Sequence, residues 1–151
     1  GEREKCGAAE QVFAAISRGT QWFGEAGNSQ KMKLVLNAWL ISMMQGIAES
    51  AQLAKTLGFT PDQLWSALEG GPLAAPYVKV KLDAIANEQF VPQMQLAHAL
   101  KDARLALSLA EPHTMPGLEN IAELWQQAAD AGYAGEDLSA VYQWLSPSSK
   151  A

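Results

Sequence analysis

The chain has 151 residues, 48% of them hydrophobic, and its 11 Lys and Arg against 16 Asp and Glu leave a formal net charge of −5. This length and composition predict one globular domain with a packed core. The mild acidity, without a basic run, argues against binding of nucleic acid or anionic membranes. The single cysteine excludes an internal disulfide and a thiolate zinc site, and with no apolar run of about 18 to 20 residues we expect a cytoplasmic protein without a membrane span.

The first third of the chain predicts a helix, a short strand and one long helix. Residues 4–17 carry apolar side chains at helical spacing, and the β-prone run 20–23 follows them. A turn punctuated by glycines, residues 24–29, opens onto a helix over residues 30–57. Because this helix is apolar on nearly every side over its first half, we expect it to lie buried among other helices.

Proline and glycine signals divide the remainder into five shorter predicted helices, at residues 61–69, 77–86, 94–110, 116–130 and 136–145. The first is the best signalled, since Thr60, Pro61 and Gln63 supply an N-cap, a proline at the first helical position and a capping box. The polar tail, residues 146–151, is expected to be disordered. The whole pattern predicts an all-α helical bundle around one long central helix.

Two polar residues interrupt the apolar surface of the long helix. Lys33 and Asn37 are four residues apart and share one helix face, whereas Ser42, Gln45 and Glu49 form a separate stripe that we interpret as the solvated side. A lysine in apolar surroundings has a pKa below its usual value, which suits a general acid/base. The alternative is that Lys33 reaches solvent from the start of the helix.

The predicted helix 94–110 carries a second polar group. His98, Lys101 and Asp102 have the spacing that brings side chains together on a helix, but such a cluster is ordinarily a solvated charged surface. His113 lies in a predicted loop and has no partner in sequence. The sequence contains no dinucleotide-binding glycine motif, P-loop, zinc motif or nucleophile elbow.

Residues 24–37, from the glycine turn through Lys33 to Asn37, resemble the signature of the β-hydroxyacid dehydrogenase family, the relatives of 3-hydroxyisobutyrate dehydrogenase and tartronate semialdehyde reductase. The resemblance continues through further short matches, at residues 48–51, 57–59, 90–92, 100–102 and 137–140. It implies the all-helical C-terminal domain that resembles the C-terminal part of 6-phosphogluconate dehydrogenase. Residues 1–23 then correspond to the last helix and strand of an NAD(P)-binding domain, and the chain alone is expected to be inactive.

The resemblance also implies roles for individual residues. Lys33 matches the catalytic lysine and Asn37 the asparagine one turn later, while Lys101 matches a lysine that reaches the nicotinamide cofactor, NAD or NADP. The implied substrate-binding residues are Gly27, Asn28, Met94 and Asp102. The implied reaction is hydride transfer between the cofactor and a small β-hydroxyacid or aldehyde acid, with the lysine exchanging the hydroxyl proton.

The chain departs from many relatives at Ser29, Leu36 and Met94, where they carry glycine, asparagine and an aromatic residue, so its substrate preference is open. Two alternatives stand beside the dehydrogenase: an imine reductase, against which Lys33 argues, and a non-catalytic dimerisation module of the same fold. We expect a homodimer, because the apolar central helix and three tryptophans offer more hydrophobic surface than a small bundle hides. Those tryptophans are Trp65, Trp125 and Trp144.

Overall fold

A computed structural model describes residues 1–146 and contains seven α-helices in that part of the chain. They are α1 (Gly7–Ile16), α2 (Asn28–Thr56), α3 (Pro61–Leu68), α4 (Pro76–Ala86), α5 (Leu96–Leu109), α6 (Pro116–Asp130) and α7 (Val141–Trp144). Three short 3-10 helices lie at Arg3–Lys5, Tyr133–Gly135 and Leu138–Ala140. The predicted all-α architecture is confirmed, and the helix over 116–130 has the predicted bounds.

The chain divides into two compact units, Gly1–Leu36 and Asn37–Ala151. Within the first unit, α1 has no buried residue, and the glycine turn lies between α1 and the body of α2. The strand predicted over residues 20–23 is wrong: that segment is irregular and mostly exposed. A lone strand has nothing to satisfy its backbone groups, and residues 1–146 contain only an isolated bridge between Gln95 and Asp137.

The second unit holds the hydrophobic core, to which α2, α4, α5, α6 and α7 all contribute. One face of α2 packs there through Ile41, Met44 and Ala48, each with no exposed surface. The opposite face of α2 is open, with 65% of Trp39 exposed. The prediction that this helix is buried on nearly every side is therefore wrong, because the bundle covers only one side of it.

Local signals set most of the helix ends. At the start of α3, Gln63 N donates to Thr60 Oγ1 (3.2 Å) and Thr60 N donates to Gln63 Oε1 (2.9 Å), which is the predicted capping box. After α2, Gly58 has φ +84° and Phe59 N donates to the carbonyl oxygen of Ala54, a helix end that favours glycine.

The predicted helix over 136–145 is wrong in its first half. Asp137 is the N-cap of the 3-10 helix Leu138–Ala140, and α7 is only four residues long. Ser146, the first residue of the predicted tail, is 9% exposed, and its hydroxyl lies 2.7 Å from Gln52 Nε2, which donates to it. The rest of that tail lies outside the described residues.

Candidate functional site

The centre of the candidate site is a hydrogen bond between α2 and α5. Asn37 Nδ2 donates to Asp102 Oδ2 across 2.6 Å, although the two residues are 65 positions apart in sequence. Asp102 is 4% exposed and Asn37 half-buried. The expectation that His98, Lys101 and Asp102 form a solvated surface is therefore wrong for Asp102. Its neighbours Ala99 and Ala103 belong to the buried side of α5.

Lys101 meets the same carboxylate from the outside. Its Nζ lies 3.2 Å from Asp102 Oδ1, and 67% of the lysine side chain is exposed. One carboxylate oxygen accepts from the Asn37 amide, and the other lies beside the exposed ammonium of Lys101. His98, on the same helix, is exposed as expected.

Lys33 lies on α2, four residues before Asn37, and is exposed. Residues at this spacing on a continuous helix share a face. Lys33 is therefore not enclosed in apolar surroundings.

The glycine turn before α2 has the conformation that its sequence favours. Gly24 and Gly27 have φ values of +82° and +94°, which a residue with a Cβ rarely adopts. Asn28 is the first residue of α2, and its Nδ2 donates to the carbonyl oxygen of Phe23 across 2.9 Å. The side chain of Asn28 therefore holds the turn closed from within its own unit.

Met94 is half-buried and packs against the core from the loop before α5. Its carbonyl oxygen accepts a hydrogen bond from Leu138 N, and its N–H lies 3.4 Å from Asp137 Oδ2. Met94 is thus anchored to the segment around Asp137, and its side chain lies at the edge of the hydrophobic core.

Sequence reasoning did not find the buried ion pair between Lys81 and Asp137. Each residue is 2% exposed, and Lys81 Nζ donates to Asp137 Oδ1 across 2.8 Å. The same carboxylate accepts hydrogen bonds from Gln93 N and from both the N–H and the hydroxyl of Ser139. Burial alone would raise the pKa of Asp137, but the hydrogen bonds from Lys81 and Ser139, with the charge of Lys81, lower it overall.

A signal for this pair was present in the sequence. Lys81 stands at the spacing of Val78, Leu82 and Ile85, so it falls on the apolar face of its helix. A lysine on such a face requires a buried partner. Tyr77 lies one turn earlier, with its ring centroid 5.4 Å from Lys81 Nζ. Burial, and then the charge of Asp137, raise the pKa of Tyr77 well above its usual value.

A second buried polar contact corrects the interpretation of the polar stripe on the long helix. Gln45 is 4% exposed; its Oε1 accepts from Trp125 Nε1 across 2.7 Å, and its Nε2 donates to Glu49. Gln45 is therefore not on the solvated side. Trp125 and Trp144 are core residues, and Trp65 packs against the core, so these tryptophans are not the exposed surface we expected.

The described residues suit organic acid/base and hydrogen-bond chemistry. An amide held by a buried carboxylate, with an exposed ammonium beside it, offers hydrogen-bond donors to the oxygen atoms of a small polar molecule. Among the described residues there is no group of three or more metal-binding side chains. No helix in the same part of the chain is long and apolar enough to cross a membrane.

A family model and individual relatives match most of the chain. Residues 27–145 match the family model described as the NAD-binding segment of NADP-dependent 3-hydroxyisobutyrate dehydrogenase. That description makes NAD or NADP the cofactor of the family, as the resemblance implied. The match begins at the glycine turn and covers every element that carries the candidate site.

Individual relatives give the same result over a limited share of their length. The chain is 36% identical over 144 residues to the cytokine-like nuclear factor N-PAC of Aedes aegypti, covering 94% of this chain and 26% of that protein. It is 32% identical to glyoxylate/succinic semialdehyde reductase 1 of Arabidopsis thaliana, covering 87% and 46%. The solved structure of Mycobacterium tuberculosis 3-hydroxyisobutyrate dehydrogenase with L-serine aligns with a TM-score of 0.81 at 27% identity, covering 96% and 53%. The chain thus spans between about a quarter and a half of these relatives, and it belongs to the 3-hydroxyisobutyrate dehydrogenase family.

Proposed function

We propose that this chain is the helical, substrate-binding part of an NAD(P)-dependent oxidoreductase that acts on a small β-hydroxyacid or aldehyde acid. The observation that carries the proposal is the hydrogen bond between the half-buried Asn37 and the buried Asp102, because it presents an oriented amide one helical turn after Lys33. The family model and the reductase from Arabidopsis support the class of reaction.

Lys33 is the proposed general acid/base. In the oxidising direction its amine accepts the proton of the substrate hydroxyl while the carbinol carbon loses a hydride, and in the reducing direction its ammonium returns a proton to the carbonyl oxygen. A bound nicotinamide dinucleotide supplies the hydride acceptor or donor. The proton and the hydride therefore account for both hydrogens that interconvert the alcohol and the carbonyl.

Asn37 and Asp102 position the oxygen that exchanges this proton. One N–H of the Asn37 amide is taken by Asp102, so the second N–H and the carbonyl oxygen are directed away from the carboxylate. An amide fixed in this way donates to a substrate oxygen without losing side-chain freedom on binding. Asp102, which the resemblance implied as substrate-binding, acts here through Asn37.

The remaining site residues have proposed roles around this pair. Lys101 fits the cofactor, because its ammonium is exposed yet held beside Asp102, where it can donate to a ribose or amide oxygen. Gly27 and Asn28 form the turn proposed to approach the substrate carboxylate, and Met94 is proposed to line the substrate pocket. Met94 and Leu36 are the positions proposed to set substrate preference.

A non-catalytic role is the second candidate function. The relative from Aedes aegypti is named a nuclear factor and not an oxidoreductase, so the same helical segment occurs in a protein named for something else. The presence of both Lys33 and Asn37 favours catalysis in this chain. The imine reductase remains a weaker alternative for the same reason, since those enzymes are expected to carry another residue at the lysine position.

The proposed function is tested with the full-length gene product and a panel of glyoxylate, small semialdehydes and cyclic imines, by following NAD(P)H oxidation. We expect turnover of aldehyde acids and a loss of kcat by at least about a hundredfold in Lys33→Ala, which is the usual contribution of a general acid/base. The matched control is Lys31→Ala, an exposed lysine two positions away and therefore on a different side of α2.

Three results would contradict the proposal. If no aldehyde acid is turned over with either nucleotide, the non-catalytic module is favoured; if only imines are turned over, the imine reductase is. Equal activities of Lys33→Ala and Lys31→Ala would remove Lys33 from the mechanism. The homodimer, the cytoplasmic location, the absence of a nucleic acid partner and the assignment of residues 1–23 to a nucleotide-binding domain stay predictions.

A further inference from the structure

The stretch of chain that leads into α5 carries Met94 and lies against the turn at residues 136–139. We call this stretch, residues 90–96, the Met94 segment. Three backbone hydrogen bonds join the segment to the turn. They run from Asp137 N to the carbonyl oxygen of Phe90 (2.9 Å), from Leu138 N to that of Met94 (3.0 Å) and from Leu96 N to that of Glu136 (2.9 Å).

The carboxylate of Asp137 adds two contacts to this segment. Its Oδ2 accepts from the N–H groups of Gln93 at 3.0 Å and Met94 at 3.4 Å. Its Oδ1 accepts from Lys81 Nζ at 2.8 Å and from the N–H and hydroxyl of Ser139 at 3.0 and 2.6 Å. One oxygen therefore faces the Met94 segment, while the other is fixed by α4 and by the turn itself.

Packing holds the Met94 segment only at its two ends. Phe90 is buried and Met94 is half-buried, but the three residues between them are exposed, with 83% of Val91 open to solvent. A segment with few buried apolar contacts opens locally at a low cost in free energy unless hydrogen bonds hold it. The position of Met94 therefore depends on its hydrogen bonds to the turn, and the Asp137 carboxylate supplies two of those that the segment makes.

The same turn also holds the start of α5. Gln95, the residue before this helix, makes no side-chain capping hydrogen bond, and the first N–H of α5 donates to Glu136 instead. Asp102 lies six residues into α5, about 9 Å along one continuous helix. The turn thus fixes both Met94 and the beginning of the helix that carries Asp102.

We propose that Asp137 is a positioning residue of the reaction, which holds Met94 against the carbon chain of the substrate through the N–H groups of Gln93 and Met94. The inference rests on the proposed function, in which Met94 lines the substrate pocket. It deepens that function by assigning Met94 to the methylene groups between the aldehyde and the carboxylate. Each buried methylene raises affinity about fourfold, so two of them contribute about fifteenfold.

The test is steady-state kinetics of the full-length enzyme with two aldehyde acids. Glyoxylate has no methylene between its two functional groups, whereas succinic semialdehyde has two. In Asp137→Asn the new NH₂ group faces either the Lys81 ammonium or the N–H groups of the Met94 segment, so the segment loses its hold. We expect KM for succinic semialdehyde to rise about five- to fifteenfold, with KM for glyoxylate and both kcat values within about twofold.

This split separates positioning from stability. A residue that only stabilises the fold changes the fraction of active enzyme, which lowers kcat equally for both substrates and leaves both KM values unchanged. Lys79→Met is the matched control, since Lys79 lies on the same helix as Lys81 and its ion pair with Asp83 is on the surface. Ser139→Ala removes only one donor to Oδ1, so it should fold and give the same split with a smaller rise in KM.

A double variant tests whether Asp137 acts through Met94. We expect Met94→Ala alone to raise KM for succinic semialdehyde by a similar factor, because it removes the contact with the methylenes. In the Met94→Ala background, Asp137→Asn should then change this KM by less than about twofold, since residues that act through one contact have non-additive effects.

Hydrogen exchange tests the hold on the segment without substrate or cofactor. In the same full-length proteins, we expect Asp137→Asn to speed exchange of the amide N–H groups within residues 90–96 by at least about tenfold. The amides of α6 should exchange at an unchanged rate, which distinguishes local opening from unfolding of the whole domain.

Every other outcome overturns the proposal. Faster exchange with an unchanged KM means that Asp137 holds the segment but does not position it for substrate. Equal rises in KM for both substrates, or effects that add in the double variant, mean that Asp137 does not act through Met94. If the unchanged enzyme turns over no aldehyde acid, the proposed function fails and the positioning role fails with it. Hydrogen exchange then still decides whether Asp137 holds the segment, so the two failures are distinguishable.

Discussion

Removing either partner of the buried Lys81–Asp137 pair should destabilise the fold, but by different amounts. Asp137 accepts hydrogen bonds from five groups, namely the ammonium of Lys81, the N–H groups of Gln93 and Met94, and the N–H and hydroxyl of Ser139. Lys81 has two acceptors, Asp137 Oδ1 at 2.8 Å and Gln93 Oε1 at 3.4 Å. The carboxylate therefore organises the site, and the ammonium is one of its several donors.

The magnitudes follow from what each substitution leaves behind. Asp137→Ala strands a buried ammonium and four further donors, so we expect a loss of about 3 to 5 kcal/mol in the free energy of unfolding. Lys81→Met keeps the apolar stem and leaves a carboxylate with four donors, so the loss is that of one charged hydrogen bond, about 1.5 to 3 kcal/mol. In the double variant no charge is stranded, and the loss should be less than the sum by at least about 1 kcal/mol.

These differences are measured by urea denaturation of the unchanged chain, the two single variants and the double variant, provided that the slope of the free energy of unfolding against urea concentration is the same in all four. Lys79→Met is the matched control, because that lysine is on the same helix and 41% exposed. The reasoning is refuted if Lys81→Met costs as much as Asp137→Ala, or if the losses in the double variant add.

The pKa of Asp137 fixes the direction of the acid dependence. Because this pKa is lower in the folded chain than its ordinary value near 4, the pair contributes its stability above that value. The contribution is lost as the pH falls through the lowered pKa. We expect the difference in stability between the chain and Asp137→Asn to be constant at neutral pH and to shrink below about pH 4, and a difference that grows on acidification would contradict this.

Three further substitutions test single contacts. Gln45→Leu leaves the buried Trp125 N–H without its acceptor and should lower the free energy of unfolding by about 1 to 3 kcal/mol, in a urea titration with an exposed Ser42→Ala as control. Tyr77→Phe removes a buried hydroxyl that has no hydrogen-bond partner among the described residues, so it should be neutral or stabilising by about 1 kcal/mol. The pKa of Tyr77 is raised in the folded chain, so the free energy of unfolding should fall above about pH 10, where the tyrosine of the unfolded chain ionises. Tyr77→Phe should remove this fall in stability. Asp102→Asn should lower kcat of the full-length enzyme more than it raises KM, through a misoriented Asn37 amide, whereas an unchanged kcat would show that Asp102 has no positioning role.

Sequence reasoning succeeded where the determinants are local. The capping box at Thr60, the glycine that ends α2 and the proline that begins α6 act within one helical turn, and the structure confirms each of them. The helical spacing of Lys33 and Asn37 was equally readable, because it depends only on the rise and rotation of one helix. The family resemblance added roles to these residues, and the family itself is confirmed by the match over residues 27–145.

The errors occurred where a residue's surroundings come from distant parts of the chain. Gln45 has the sequence spacing of a solvated stripe, yet it is buried because Trp125, 80 positions later, packs on it and donates to it. Residues 136–145 carry a helical pattern, but Asp137 is drawn into a network with Lys81 and Gln93, and the regular helix begins only after Ala140. Periodicity assigns a face to a side chain but does not say what that face meets.

By itself the sequence determined the class of fold, most helix bounds, the turn glycines and the presence of Lys33 and Asn37 on one helix, since all of these follow from local backbone preferences and helical periodicity. Only the tertiary structure decided that Asp102 is buried and holds the Asn37 amide, that Lys81 and Asp137 form an ion pair, and that one side of α2 stays open around Trp39. The physical reason is that burial and partner choice depend on which helices pack together, and packing joins residues that lie 56 to 80 positions apart.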